Sequence, residues 1–273
     1  MISSPPASQR VPRAVWRGGA LRKDERVVAE ETPVALTYNN ATHAVMMATP
    51  DHLEDFALGF SLTEGIVAAA AEISEIAITP LDAGIDVRIW LPGAAADTLL
   101  ARRRHLLGAS GCGMCGMESL AEANRALPII TANPRVTPAM IATALAAMPA
   151  EQTLNAETHA VHAAAFWRPG TPLLLREDVG RHNALDKLVG AMARAGLHAA
   201  DGIVLLSSRI SVEMVQKAAM LGAPILVAIS APTALAIRVA DRAGITLVGV
   251  ARTDGFEIFS HAKRVVHDDI GEQ

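Results

Sequence analysis

The sequence predicts an α/β fold in two unequal parts, a smaller N-terminal α+β domain followed by a larger sheet domain covered by helices on both faces. Three observations carry this. From about residue 160, short runs rich in Val, Leu and Ile alternate with helical segments, the pattern of a parallel or mixed sheet buried on both sides. Upstream, strand-like pairs flank a single amphipathic helix. The 273 residues are 51% hydrophobic but only 3% aromatic, so the core is large and aliphatic.

The elements follow in order. Residues 1–25 carry Pro5, Pro6, Pro12 and several serines and are expected to be disordered. The first domain is assigned to residues 26–127. Within it, Val34–Thr37 and Ala44–Ala48 read as a hairpin around Asn39-Asn40, with a loop longer than two residues. An amphipathic helix spans 52–64 and stops at Gly65. Glu75–Thr79 and Asp86–Leu91 read as strands, and 118–127 as a helix. The second domain takes residues 128–273. It opens with an Ala-rich helix, Pro138–Met148, capped by Thr137. Strands follow at His162–Phe166, Leu173–Arg176, Ile203–Leu206, Ile225–Ile229 and Thr246–Val250. Helices are expected at Arg181–Ala195, Val212–Leu221 and Ala234–Ala243, the last two closed by Gly222 and Gly244.

Charge and hydropathy exclude several roles. A net charge of −4 argues against general nucleic-acid binding, which needs a basic face. The run Arg102-Arg103-Arg104-His105 is the one local basic patch singled out, a solvated helix face or an anion-attracting one. No run approaches the ~20 apolar residues of a membrane span. The N-terminal arginines precede no apolar stretch of a secretory signal. Two close thiols without a disulfide framework suit a reducing cytoplasm.

Those thiols are the only cysteines, in Ser110-Gly111-Cys112-Gly113-Met114-Cys115-Gly116. Glycine flanks favour positive φ and close approach to a partner, unlike the apolar surroundings of a packing cysteine. Four readings stay open. The pair can be inert. It can ligate zinc, which needs about four ligands, the others then being His159 and His162, the one H-x-x-H pair, although finger spacing is not met. It can be a thioredoxin-like dithiol, though it lies mid-chain rather than after an early strand. Or it can carry sulfur as a persulfide, which calls for reach, mobility and a low-pKa thiol.

In an open α/β sheet, ligands bind beyond the carboxyl ends of the strands. Three such ends are polar: Glu177-Asp178-Val179-Gly180-Arg181-His182-Asn183, Ser207-Ser208-Arg209-Ile210-Ser211 and Ser230-Ala231-Pro232-Thr233. Helix starts there favour phosphate, and Arg181 and Arg209 can add bidentate contacts. Asp178 or Glu177 can accept from a guanine-type N–H edge. Ser208, Ser211 and Thr233 read equally well as ordinary helix caps. Neither a Walker A loop nor Gly-x-Gly-x-x-Gly is present.

The cysteine motif with Glu118-Ser119, and Glu177 to Lys187 (Glu-Asp-Val-Gly-Arg-His-Asn-Ala-Leu-Asp-Lys), strongly resemble the FdhD family. So do Ser208 to Lys217, Ser230 to Ala236, Glu54 to Phe60 and Thr63-Glu64-Gly65. The resemblance runs from about residue 30 to 266. It implies a sulfur carrier, a sulfurtransferase required for formate dehydrogenase activity. Such a protein takes persulfide sulfur from a cysteine desulfurase and passes it to the molybdenum of the bis(molybdopterin guanine dinucleotide) cofactor, a bound client rather than a permanent cofactor. That cofactor then enters formate dehydrogenase. The resemblance makes Cys112 the persulfide site with Cys115 its companion. It assigns Phe256-Glu257-Ile258-Phe259-Ser260-His261 to the cofactor. It also implies a cytidine-deaminase-like three-layer α/β/α C-terminal domain without the zinc site, and homodimers.

On this basis Asp178, Arg181, His182, Ser208, Arg209 and Thr233 are expected to hold a guanine nucleotide end such as GDP. One departure stands out. The family pattern Thr-Gly-Gly-x-His is replaced here by Thr158-His159-Ala160-Val161-His162. The alternatives are a zinc nucleoside deaminase and a zinc-organised binding module. The deaminase needs H-x-E before P-C-x-x-C, an order and composition this chain lacks.

Overall fold

A computed structural model describes residues 3–93 and 126–266. The first strands were not expected. Ser8–Arg17 (β1) and Ala20–Ala29 (β2) pair antiparallel over ten residues, so the start of the chain is a hairpin rather than disordered. Its turn is Gly18-Gly19, both at positive φ, the backbone a two-residue hairpin turn requires. Pro12 is tolerated because this ribbon is edge on both sides among the described residues.

The N-terminal sheet has the order β4-β3-β6-β5, from Thr32–Tyr38 (β3), Ala41–Ala48 (β4), Glu75–Leu81 (β5) and Gly84–Trp90 (β6). The β3–β4 connection is two residues, shorter than expected. Asn39 and Asn40 both adopt positive φ, which asparagine tolerates. Val34, Leu36, Tyr38, Val87 and Ile89 alternate onto one face. There they meet Phe56 and Phe60 of helix α1, Leu53–Thr63.

The C-terminal sheet has the order β12-β11-β10-β9-β7-β8. Its strands are His162–Trp167 (β7), Leu174–Asp178 (β8), Ile203–Leu206 (β9), Ile225–Ala228 (β10), Thr246–Arg252 (β11) and Gly255–Ser260 (β12). β9, β10 and β11 run parallel, while β7 is antiparallel to both its neighbours and β12 to β11. Side chains alternate between two cores. Val204, Leu206, Leu226 and Leu247 pack against helices Arg181–Arg194 (α4), Val212–Leu221 (α5) and Ala234–Ala243 (α6). Ile203, Leu205, Ile225, Val227 and Val248 pack against helix Pro138–Glu151 (α2). This is the expected three-layer α/β/α arrangement.

A short helix, Thr153–Thr158 (α3), was not anticipated. It ends at His159, whose φ is 54°, left-handed backbone that favours glycine. The departure from the family glycine pair therefore falls on a position where glycine would be at ease.

The N-terminal and C-terminal sheets are joined where α1 packs closely on α4. A β-carbon built on Gly59 would overlap the Asp186 carbonyl, and one on Gly190 would overlap that of Asp55. Only glycine permits these backbones to touch.

Candidate functional site

The strand directions bring the polar segments to one edge. The carboxyl ends of β8, β9, β10 and β11 all open there, together with the first residues of β7 and β12. Adjacent loops are stitched together. Ala163 donates its N–H to Ser207 Oγ at 2.7 Å, and Ser207 returns its own N–H to the Ala163 carbonyl at 3.0 Å. Thr233 donates its N–H to the Ile210 carbonyl at 3.0 Å, and Val250 to that of Ser230.

Arg181 and His182 form the first turn of α4, whose preceding residue, Gly180, offers no side chain to cap it. Arg181 Nε and His182 Nε2 are buried without a hydrogen-bond partner. Native structures rarely leave such atoms unsatisfied. Burial lowers His182 to about 4, and the charges of Arg181 and Lys217 push the same way. Burial and Arg181 also lower His162, at the start of β7. Both imidazoles are thus favoured neutral, around a guanidinium. Arg209 is exposed on the neighbouring loop. A cationic edge with unsatisfied nitrogens and a free helix start fits an anionic oxygen-rich group.

Several expected site residues serve elsewhere. Asp178 is fully buried and pairs with Lys187 at 2.7 Å. Its oxygens also accept from the N–H groups of Thr49 and Gly180 and from Asn183 Nδ2. No oxygen is left facing the edge for a guanine. Glu177 accepts from the N–H groups of Leu154 and Asn155, which fixes the start of α3. Thr233 caps α6 by accepting from Ala236 N–H. Ser208 is buried and donates to the Arg209 carbonyl.

The segment Phe256–His261 is divided by the direction of β12. Phe256, second residue of β12, lies at the site edge and packs toward the α2 side with Ile258. Glu257 pairs with Gly249, and Phe259 lies on the opposite side, near Gly249. Ser260 pairs with Leu247, at the amino end of β11, and donates to the Ile245 carbonyl. His261 Nε2 sits 2.8 Å from the Asp241 carbonyl. Ser260 and His261 therefore lie at the far edge of the sheet, away from Arg181 and Arg209.

Cys112, Cys115, the basic run 102–105 and most of the expected helix 118–127 lie outside the described residues. Sequence reasoning missed Thr49; it named His162 only as a zinc-ligand alternative and Ser207 only within a polar strand end. Thr49 is the hub of the Asp178 cluster: its carbonyl accepts from Lys187 Nζ and its hydroxyl from Val179 N–H. A second buried cluster joins Lys217 to Asp186, Glu64 and Thr63. No helix among the described residues is long and apolar enough to cross a membrane.

The comparisons with known proteins agree with one another. A family model described as the FdhD/NarQ family matches residues 29–266. The chain is 53% identical to the sulfur carrier protein FdhD of Agrobacterium fabrum over 268 residues, covering 97% of this chain and 99% of that one. It is 46% identical to the protein of the same name from Cupriavidus necator, over 97% and 93% of the two chains. A solved structure from Desulfotalea psychrophila, described as a formate dehydrogenase accessory protein, superposes with a TM-score of 0.75 at 26% identity. That match covers 96% of this chain and all of the other.

Proposed function

The chain belongs to the FdhD/NarQ family and is a sulfur carrier of the kind its relatives are named for, and we propose that it supplies sulfur for formate dehydrogenase through Cys112. A cysteine desulfurase presents a persulfide. The Cys112 thiolate attacks the outer sulfur, the donor leaves as a thiolate, and the sulfur is held on Cys112 with no net change in oxidation. Cys115 then attacks the inner sulfur. A Cys112–Cys115 disulfide forms and the carried sulfur departs as hydrosulfide, two thiols having supplied its two electrons. Chain spacing supports this division of labour, because two residues separate the thiols.

The cargo is the molybdenum cofactor with its guanine dinucleotide arms, received in the cytoplasm and later passed to formate dehydrogenase. Arg181, His182 and Arg209 are the residues we assign to its diphosphates, with Ser208 shaping the loop and Phe256 lining the approach. The observation that carries this assignment is the pair of buried unpartnered nitrogens on Arg181 and His182 beside a free helix start. Asp178, Thr233, Ser260 and His261 are left out, because the first two are engaged internally and the last two lie at the opposite edge.

The test is genetic and biochemical. Cys112→Ala should abolish formate dehydrogenase activity in cells relying on this carrier, and Cys115→Ala should reduce it. An active dehydrogenase with Cys112→Ala would overturn the assignment.

A further inference from the structure

The sulfur chemistry gives no role to the β1–β2 ribbon. Its ten residue pairs reach about 30 Å at ordinary strand rise. It is tied to the body of the fold near its base, where Arg26 donates to the Thr158 carbonyl at the end of α3. Its far end is bare among the described residues. A β-carbon built on Gly18 or Gly19, at the turn, would meet no atom within 4 Å.

That end differs in chemistry from the base. Trp16 and Leu21 are directly opposite across the two strands, 70% and 67% exposed. Lys23 shares their face, and Arg17 and Arg22 are on the other. Toward the base, arginines match the ribbon's acidic residues: Arg13 lies 2.7 Å from Asp24, and Arg10 lies 3.8 Å from Glu25. Arg17, Arg22 and Lys23 form no ion pair among the described residues. The end therefore holds three uncompensated cations around an exposed indole and an exposed isobutyl group.

These features select one kind of surface. An indole is at ease where an apolar phase meets water. Basic side chains beside it lay their stems on the apolar side and keep their charges at anionic headgroups. A protein partner fits less well. A specific interface takes about 800 Å² from each side, whereas one large aromatic side chain supplies about 150–250 Å². A fluid bilayer asks for no matched area of that size.

We propose that the end of the β1–β2 ribbon is a reversible anchor for anionic phospholipid surfaces, Trp16 and Leu21 entering the interface and Arg17, Arg22 and Lys23 meeting the headgroups. This goes beyond the sulfur-carrier reading and does not depend on it. Its test reads lipid binding rather than activity.

The full chain should sediment with vesicles of mixed phosphatidylcholine and phosphatidylserine, and stay in the supernatant with phosphatidylcholine alone. Raised salt should release it. Each cation near the surface is worth about five-fold in partitioning, so Arg17→Gln with Arg22→Gln should weaken vesicle binding about twenty-five-fold. Trp16→Ser with Leu21→Ser should also release the protein, with its circular dichroism unchanged. Brominated lipid should quench indole fluorescence in the bound wild type. Trp16→Phe should still bind but lose that quenching, because Trp90 and Trp167 belong to the sheets of the body. A wild type that ignores anionic vesicles overturns the proposal. So do paired variants that bind like wild type, and so does quenching that survives Trp16→Phe.

Discussion

Lys187 Nζ lies 2.7 Å from the Asp178 carboxylate, and neither side chain is reached by solvent. Lys187 belongs to α4 and Asp178 ends β8, yet the pair closes on Thr49, just after β4 of the N-terminal sheet. It thus holds the turn that aims Arg181 and His182 while joining the two sheets.

Breaking that pair from one side should be severe. A buried ion pair contributes little net stability, but removing one partner strands the other charge, at a cost of about 3–5 kcal/mol. Lys187→Met should lower the unfolding free energy measured in urea by that amount. Lys187→Met with Asp178→Asn should recover part of it. A single variant as stable as wild type would show that the pair is not held as described.

His159→Gly should stabilise the protein. A non-glycine residue in left-handed backbone carries about 1–2 kcal/mol of strain, offset in part by the freedom glycine gains when unfolded. A net gain of about 0.5–1 kcal/mol is expected in thermal or urea unfolding. Destabilisation would mean that the imidazole makes a contribution its exposed position does not suggest.

His182 gives stability a pH dependence. It protonates at about 4 in the fold, against an ordinary value of 6.5. Between those values the unfolded chain takes up a proton that the native chain refuses, so stability falls as pH drops from 6.5 toward 4. Above 6.5 the group contributes no slope. At most about 1.4 kcal/mol per pH unit is lost through it. Urea midpoints at pH 7.5 and 5 should fall further for wild type than for His182→Gln. Equal falls would assign the acid sensitivity to other groups.

The proposed nucleotide site can be tested by calorimetry with GDP. Arg209→Ala removes a charge-assisted contact worth about 1.5–3 kcal/mol, roughly ten- to a hundred-fold in affinity. Asp178→Asn should act through stability and leave the GDP affinity of the folded protein unchanged. Undetectable GDP binding by wild type would remove the nucleotide from the proposed site.

The central sheet was legible because burial on both faces demands an uninterrupted apolar run. Ile203–Leu206 needs no other explanation than a strand, and the structure places β9 at those residues. The glycines at 222 and 244 marked helix ends because left-handed caps favour that residue. The first hairpin was legible in principle. Val15-Trp16 and Leu21 flank Gly18-Gly19, but prolines and arginines suggested disorder. Asp178 was misread because a carboxylate at a strand end looks the same whether it awaits a ligand or a lysine. Its partner Thr49 is 129 residues away. Ser260 and His261 were misplaced because the segment was taken as a unit, whereas a strand has two ends and β12 runs antiparallel to its neighbour.

The glycine contact between α1 and α4 bears on how the molecule comes apart. With Gly59 and Gly190 backbone to backbone, neither helix can slide without steric overlap, and separation would bare the Lys187–Asp178 and Lys217–Asp186 pairs together. A partly open state would also strip those pairs of the bonds they make to Thr49, Thr63 and Glu64. The two sheets with their helices should therefore melt in a single transition, and either half expressed alone should remain unfolded.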